Sequence, residues 1–135
     1  MAAPTLAARL AKYATSLTFE KLTPEAVHEA KRRVIDSLAT AVGAMPAEAY
    51  HTAKRCALRV SGNPGASLLG GGRSSPEWAA FVNGLLIRYL DFNDTYLSKE
   101  PAHPSDNFAA VFAAVEAAGR GGRDLITAAV LAYEI

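Results

Sequence analysis

The chain has 135 residues, half of them apolar and a fifth charged, with a net charge of +1. That length makes one domain able to bury roughly two-thirds of its unfolded surface, and the apolar content excludes an intrinsically disordered polymer. The balanced charge gives no electrostatic case for nucleic acid or a membrane surface as partner. Alanine is the outlier, at 28 residues against five Phe, five Tyr and one Trp. An alanine-rich, aromatic-poor chain reads as closely packed helices.

The N-terminal stretch carries Arg9 and Lys12 and no acid before Glu20, a composition that also suits a transit peptide. Leu6, Leu10, Tyr13 and Leu17 recur at helical spacing, so an ordinary first helix over 5–16 is the reading taken, with the protein placed in the cytoplasm. Thr23-Pro24-Glu25 is a strong helix start: a hydroxyl cap, proline at the first helical position, and an acid at the positive dipole end. The period of Val27, Ala30, Val34, Ile35, Leu38 and Val42 carries that helix over 24–42, to Gly43 and Pro46. A third helix spans 47–61, with Ala53, Cys56 and Val60 in line, which makes Cys56 a packed thiol. Only 66–69 has the look of a strand, and Gly70-Gly71-Gly72 reads as a turn, lacking the Lys-Ser/Thr ending of a phosphate loop.

Ser75-Pro76-Glu77 opens a fourth helix over 76–90, Ser105 caps a fifth over 106–118, and a sixth covers 123–135. The expected fold is therefore all-α, a bundle-like set of six helices. A lone Cys56 forms no internal disulfide, and the longest apolar run, 108–115, is far short of a membrane span. Lys31-Arg32-Arg33 and Lys54-Arg55 read as solvated faces, and His28 and His51 as helix-surface residues without metal-ligand partners. The pattern breaks off on Tyr-Glu-Ile with no Gly, Pro or polar tail, which reads as the front part of a longer protein.

Chemistry concentrates in the one long irregular stretch, 91–107, where four carboxylates, Lys99, His103 and several hydroxyls and amides fall together. A calcium loop is excluded, since Tyr96 stands where glycine is needed and Ala102 where the bidentate glutamate belongs. A DxDxT phosphatase is excluded by Asn93 and by the helix before the motif. Proton transfer remains: His103 sits near prolines, and Asp91 or Asp94 can orient its imidazole. The alternative at this point is a network that only caps the neighbouring helices.

The segment YLDFNDTYLSKEPAHPSDN at 89–107 resembles the signature loop of the 2-methylcitrate dehydratase and cis-aconitate decarboxylase (MmgE/PrpD) family. VIDSLATAVGA at 34–44, WAAFVNGLLIRYLDF at 78–92 and GRDLITAAVLAYEI at 122–135 are similar as well. Asn93-Asp94-Thr95 followed by HPSDN is closer to the dehydratases of that family than to the decarboxylases.

The resemblance implies that residues 1–135 are the N-terminal part of a helical domain, with a second α/β domain lying outside this chain. It implies a cofactor-independent lyase that dehydrates 2-methylcitrate during propionate breakdown through the methylcitrate cycle, and a homodimer built through the helical domain. Carried onto this chain, the functional loop positions are Asp91, Thr95 and His103. His103 and Asp91 are the expected catalytic pair, while Thr95, Asp94 and Lys99 are the expected substrate contacts; no metal or cofactor is expected. A tricarboxylate carries about three negative charges near neutral pH and needs cations. The loop offers Lys99 and His103, which amounts to half a site, so this chain alone is expected to be inactive. The alternatives are a decarboxylase-like lyase on a related tricarboxylate, or a non-catalytic helical interaction module.

Overall fold

The computed structural model describes residues 3–135; Met1 and Ala2 of the basic N-terminal stretch lie outside the described residues. Six helices follow in chain order: α1 (Leu6–Ser16), α2 (Pro24–Ala44), α3 (Glu48–Ala57), α4 (Pro76–Tyr89), α5 (Phe108–Ala117) and α6 (Gly122–Glu134). The all-α expectation holds. Helix α2 begins as its sequence dictates, with the Thr23 hydroxyl accepting the Ala26 N–H at 3.2 Å and Pro24 in the first turn.

The core forms around α4. Its Ala79, Val82, Leu86 and Ile87 are fully buried, enclosed by Ala41 and Ala44 of α2, Ala53 and Ala57 of α3, and Phe108, Ala109 and Ala113 of α5. Alanine at these facing positions lets the helix axes approach closely, and the few large side chains fill what is left. Phe108 is the largest of the fully buried side chains. Its ring meets Phe112 and Tyr133 at centroid distances of 6.1 and 5.5 Å, and burying such a ring contributes about 1.5–3 kcal/mol.

Two small antiparallel hairpins replace the single strand expected at 66–69. In the first, β1 (Ala66–Ser67) pairs with β2 (Arg73–Ser74); in the second, β3 (Tyr96–Leu97) pairs with β4 (Pro101–Ala102). Two-residue strands are too short to show an alternating pattern, so periodicity misses them. Gly70, Gly71 and Gly72 turn the first hairpin, all at positive φ. A Cβ on Gly70 would collide with the Tyr50 hydroxyl, so glycine is required there twice over.

Other expectations are corrected. Cys56 is exposed, because the buried face of α3 runs through Tyr50, Ala53 and Ala57, and Cys56 is one residue off that line. Helix α3 stops at Ala57, several residues short of the expected end. Ser105 does not cap α5; it lies buried inside a 3-10 turn, Pro104–Asn107, that precedes the helix. The stripe on α1 forms a helix but buries none of its residues, and Ile35 and Val42 of α2 also face out. His28 and His51 are exposed, as read from the sequence.

Candidate active site

The irregular stretch hangs between the C-terminal end of α4 and the 3-10 turn before α5. Helix α4 ends at Tyr89, and two residues later Asp91 adopts φ 55°, the left-handed conformation that usually takes glycine after a helix. Aspartate tolerates it better than most side chains. Its carboxylate turns back to accept from the Arg88 guanidinium, one helical turn earlier. That hydrogen bond, then the Arg88 charge, holds the Asp91 carboxyl below the usual carboxylate range, and a His103 cation adds a smaller contribution.

Asn93 is buried and ties the two ends of the stretch together. Its amide donates to Ser105 Oγ at 3.0 Å and to Asp106 Oδ1 at 2.8 Å. Arg88 Nε lies 3.7 Å from Asp106 Oδ2 on the same side. Asp94 Oδ1 accepts the Ser105 backbone N–H at 3.1 Å, and Asp94 Oδ2 accepts the Tyr133 hydroxyl at 2.6 Å. Burial, and then the Asp94 carboxylate, push the Tyr133 phenol well above its ordinary value.

These bonds present His103. Its Nδ1 lies 2.8 Å from the Asp94 main-chain oxygen and 3.4 Å from Thr95 Oγ1. A carbonyl oxygen only accepts, so Nδ1 must carry the hydrogen. The neutral ring then has its lone pair on Nε2, ready to take a proton. The imidazole is half-buried. Its orienting group is thus the Asp94 main chain rather than the carboxylate of Asp91 or Asp94, because both carboxylates are held by other donors.

Of the residues singled out from the sequence, the structure brings Asp94, Thr95 and His103 into direct contact and sets Asp91 against Arg88. Lys99 stands on the exposed turn between β3 and β4 and makes no hydrogen bond or ion pair among the described residues. Arg88, Asn93, Ser105 and Tyr133 were missed as members of this network. The Arg88–Asp91 spacing of three at a helix end is a readable signal. Tyr133 lies 39 residues from Asp94 and gives none. Among the described residues, no group of three His, Cys, Asp or Glu side chains is placed to hold a metal ion.

The MmgE/PrpD N-terminal domain model matches residues 8–135. The chain belongs to the MmgE/PrpD family. It is 33% identical to a 2-methylcitrate dehydratase-like protein of Aspergillus oryzae, over 87% of this chain and 27% of that protein. It is 39% identical to the 2-methylcitrate dehydratase of Escherichia coli K12, over 44% of this chain and 14% of the relative. It is 33% identical to human cis-aconitate decarboxylase, over 84% of this chain and 25% of that enzyme. The chain spans about a quarter of the length of the MmgE/PrpD relatives it matches over most of its residues. These relatives are named for dehydration or decarboxylation, both lyase chemistries. Among the described residues, no helix is long and apolar enough to cross a membrane.

Proposed function

We propose that this chain supplies the His103 side of a lyase active site that dehydrates 2-methylcitrate to 2-methyl-cis-aconitate. The observation that carries the reading is the imidazole fixed by the Asp94 carbonyl at 2.8 Å with Nε2 free to accept. Dehydration removes a proton from carbon next to a carboxylate and a hydroxide from the neighbouring carbon. The C–H pair becomes the new double bond, the C–O bond breaks, and the leaving hydroxide takes a proton to depart as water. His103 Nε2 takes the first proton, the role for which this tautomer is set. Thr95, exposed beside the ring, donates its hydroxyl to a substrate carboxylate, and Lys99 adds a cation from the hairpin tip. Asp91 and Asp106 hold Arg88 beside the stretch, a guanidinium not among the cations counted from the sequence. The remaining charge of the tricarboxylate is met by residues outside this chain, in the rest of the helical domain and a second α/β domain.

The relatives' names support a dehydratase acting on 2-methylcitrate, and the reading places it in the methylcitrate cycle in the cytoplasm. Exposed Ile35, Val42, Phe81 and Tyr89 give the apolar surface that a homodimer contact needs. A decarboxylase reading rests on the human relative. The dehydratase reading rests on the Asn93-Asp94-Thr95 and HPSDN segments, in which the loop is closer to the dehydratases.

The test is to offer the intact protein 2-methylcitrate and cis-aconitate separately. The expected result is alkene formation from 2-methylcitrate without release of carbon dioxide. Carbon dioxide from cis-aconitate with 2-methylcitrate untouched would make it a decarboxylase. Turnover of neither would reduce the chain to a helical module.

A further inference from the structure

We propose that Tyr133 of α6 is a positioning residue for His103, acting through Asp94 to keep the ring hydrogen on Nδ1. The inference rests on the reading of His103 as the proton carrier. Asp94 is bonded at three points: its carboxylate accepts from Ser105 N at 3.1 Å and Tyr133 Oη at 2.6 Å, and its main-chain oxygen accepts from His103 Nδ1 at 2.8 Å. Ser105 is two residues from His103 and travels with it, so that bond ties the stretch to itself. Tyr133 is the one partner of Asp94, among the described hydrogen bonds, that comes from outside 88–107.

The place of its hydroxyl is set by the core. The Tyr133 ring lies 5.5 Å from that of Phe108, which is fully buried. With both carboxylate oxygens engaged, the Asp94 peptide is held from two sides, and its carbonyl stays aimed at the imidazole. A neutral histidine whose Nδ1–H lacks such an acceptor is free to move its hydrogen to Nε2, which removes the lone pair the reaction needs. The phenol is well suited to the task. Burial first, and Asp94 second, raise its pKa, so it remains a donor across the range in which a lyase works.

The test uses this chain labelled with nitrogen-15 at histidine, because ring nitrogen shifts report the tautomer directly. Wild type should show His103 with hydrogen on Nδ1, and Tyr133→Phe, which keeps the ring and its packing, should show a mixture of tautomers. The thermal midpoint of both chains is recorded alongside, since a merely structural tyrosine would lower it without changing the tautomer. In the intact enzyme, Tyr133→Phe should lower kcat by at least about tenfold with KM little changed, because an imidazole in the wrong tautomer cannot take the proton. His103 still wholly protonated on Nδ1 in a folded Tyr133→Phe chain would overturn the proposal. Should Tyr133→Phe fail to fold, Asp94→Asn, which loses one of the two acceptor positions, must give the same mixture, and an unchanged tautomer there overturns it equally. A shifted tautomer with unchanged turnover would uphold Tyr133 as the positioning group and remove His103 from proton transfer.

Discussion

The two hairpins are the same size and differ in everything else. The first, β1–β2, is woven into the helices: Ala66, Leu68 and Ser74 are buried, and side chains of three helices hold it. Asn83 of α4 accepts from Leu69 N at 2.8 Å and donates to Ser67 O at 3.0 Å, copying a strand edge. Tyr50 of α3 donates to Leu69 O at 2.6 Å, the Ser74 hydroxyl donates to Ala57 O at 2.6 Å just at the end of α3, and Glu116 of α5 accepts from Ser67 N at 2.7 Å. Arg73 closes the group by pairing with Glu116. In the second, β3–β4, all four strand residues are exposed, Leu97 by 79%. Only its base is held, by Asn93, Asp94 and Ser105. A hairpin bonded along its length is scaffold. One bonded at its base, with a histidine beside it, leaves its strands free to meet another molecule while the imidazole stays fixed.

The largest effect on folding should come from the first hairpin. Asn83→Ala leaves the Leu69 N–H and the Ser67 carbonyl without their partner, and should cost about 2 kcal/mol; the midpoint of a denaturant titration measures it. A loss indistinguishable from zero would mean that β1–β2 is no more built in than β3–β4.

The two bases should also part company with pH. Glu116 is held below the usual carboxylate range by the Ser67 N–H first, and Asp91 by Arg88, so both contribute stability above that range and lose it as pH falls through it. Acid therefore loosens the first hairpin and the Arg88–Asp91 pair at the end of α4. Tyr133 has the opposite sign: its raised pKa gives a contribution complete below the ordinary phenol value and lost as pH rises above about 10. Alkali should release the base of the second hairpin, which near-ultraviolet circular dichroism of wild type and Tyr133→Phe would show as a step missing from the variant.

The smallest effect should follow Leu97→Ser at the exposed strand. Its unfolding midpoint should correspond to a change within about 0.5 kcal/mol of wild type. A larger loss would show that β3–β4 packs on something in this chain.

The helices were legible because each carries its own signals. Thr23-Pro24-Glu25 and Ser75-Pro76-Glu77 mark starts that depend only on neighbouring residues, and α2 and α4 begin where those signals stand. What was illegible was set by distance along the chain. Cys56 was assigned to the core from its line with Ala53 and Val60, yet it lies at the edge of the apolar face of α3, and which part of that face is buried depends on what packs against it. At the site, residue types and their density marked the stretch. The acceptor that orients His103 is a main-chain oxygen, which every residue possesses, so composition points to carboxylates instead. Tyr133 joins the site only because α6 folds back over Phe108.

The central claim is that 91–107 serves chemistry rather than folding, and that His103 moves a proton. The most direct test is steady-state dehydration of 2-methylcitrate by the intact enzyme carrying His103→Ala, with its unfolding midpoint measured on the same preparation. The account predicts that kcat falls by roughly 10²–10⁴-fold, the share that general acid–base catalysis supplies, while the midpoint stays at the wild-type value. Turnover near wild type, or a lost midpoint that accounts for the lost activity, would contradict it.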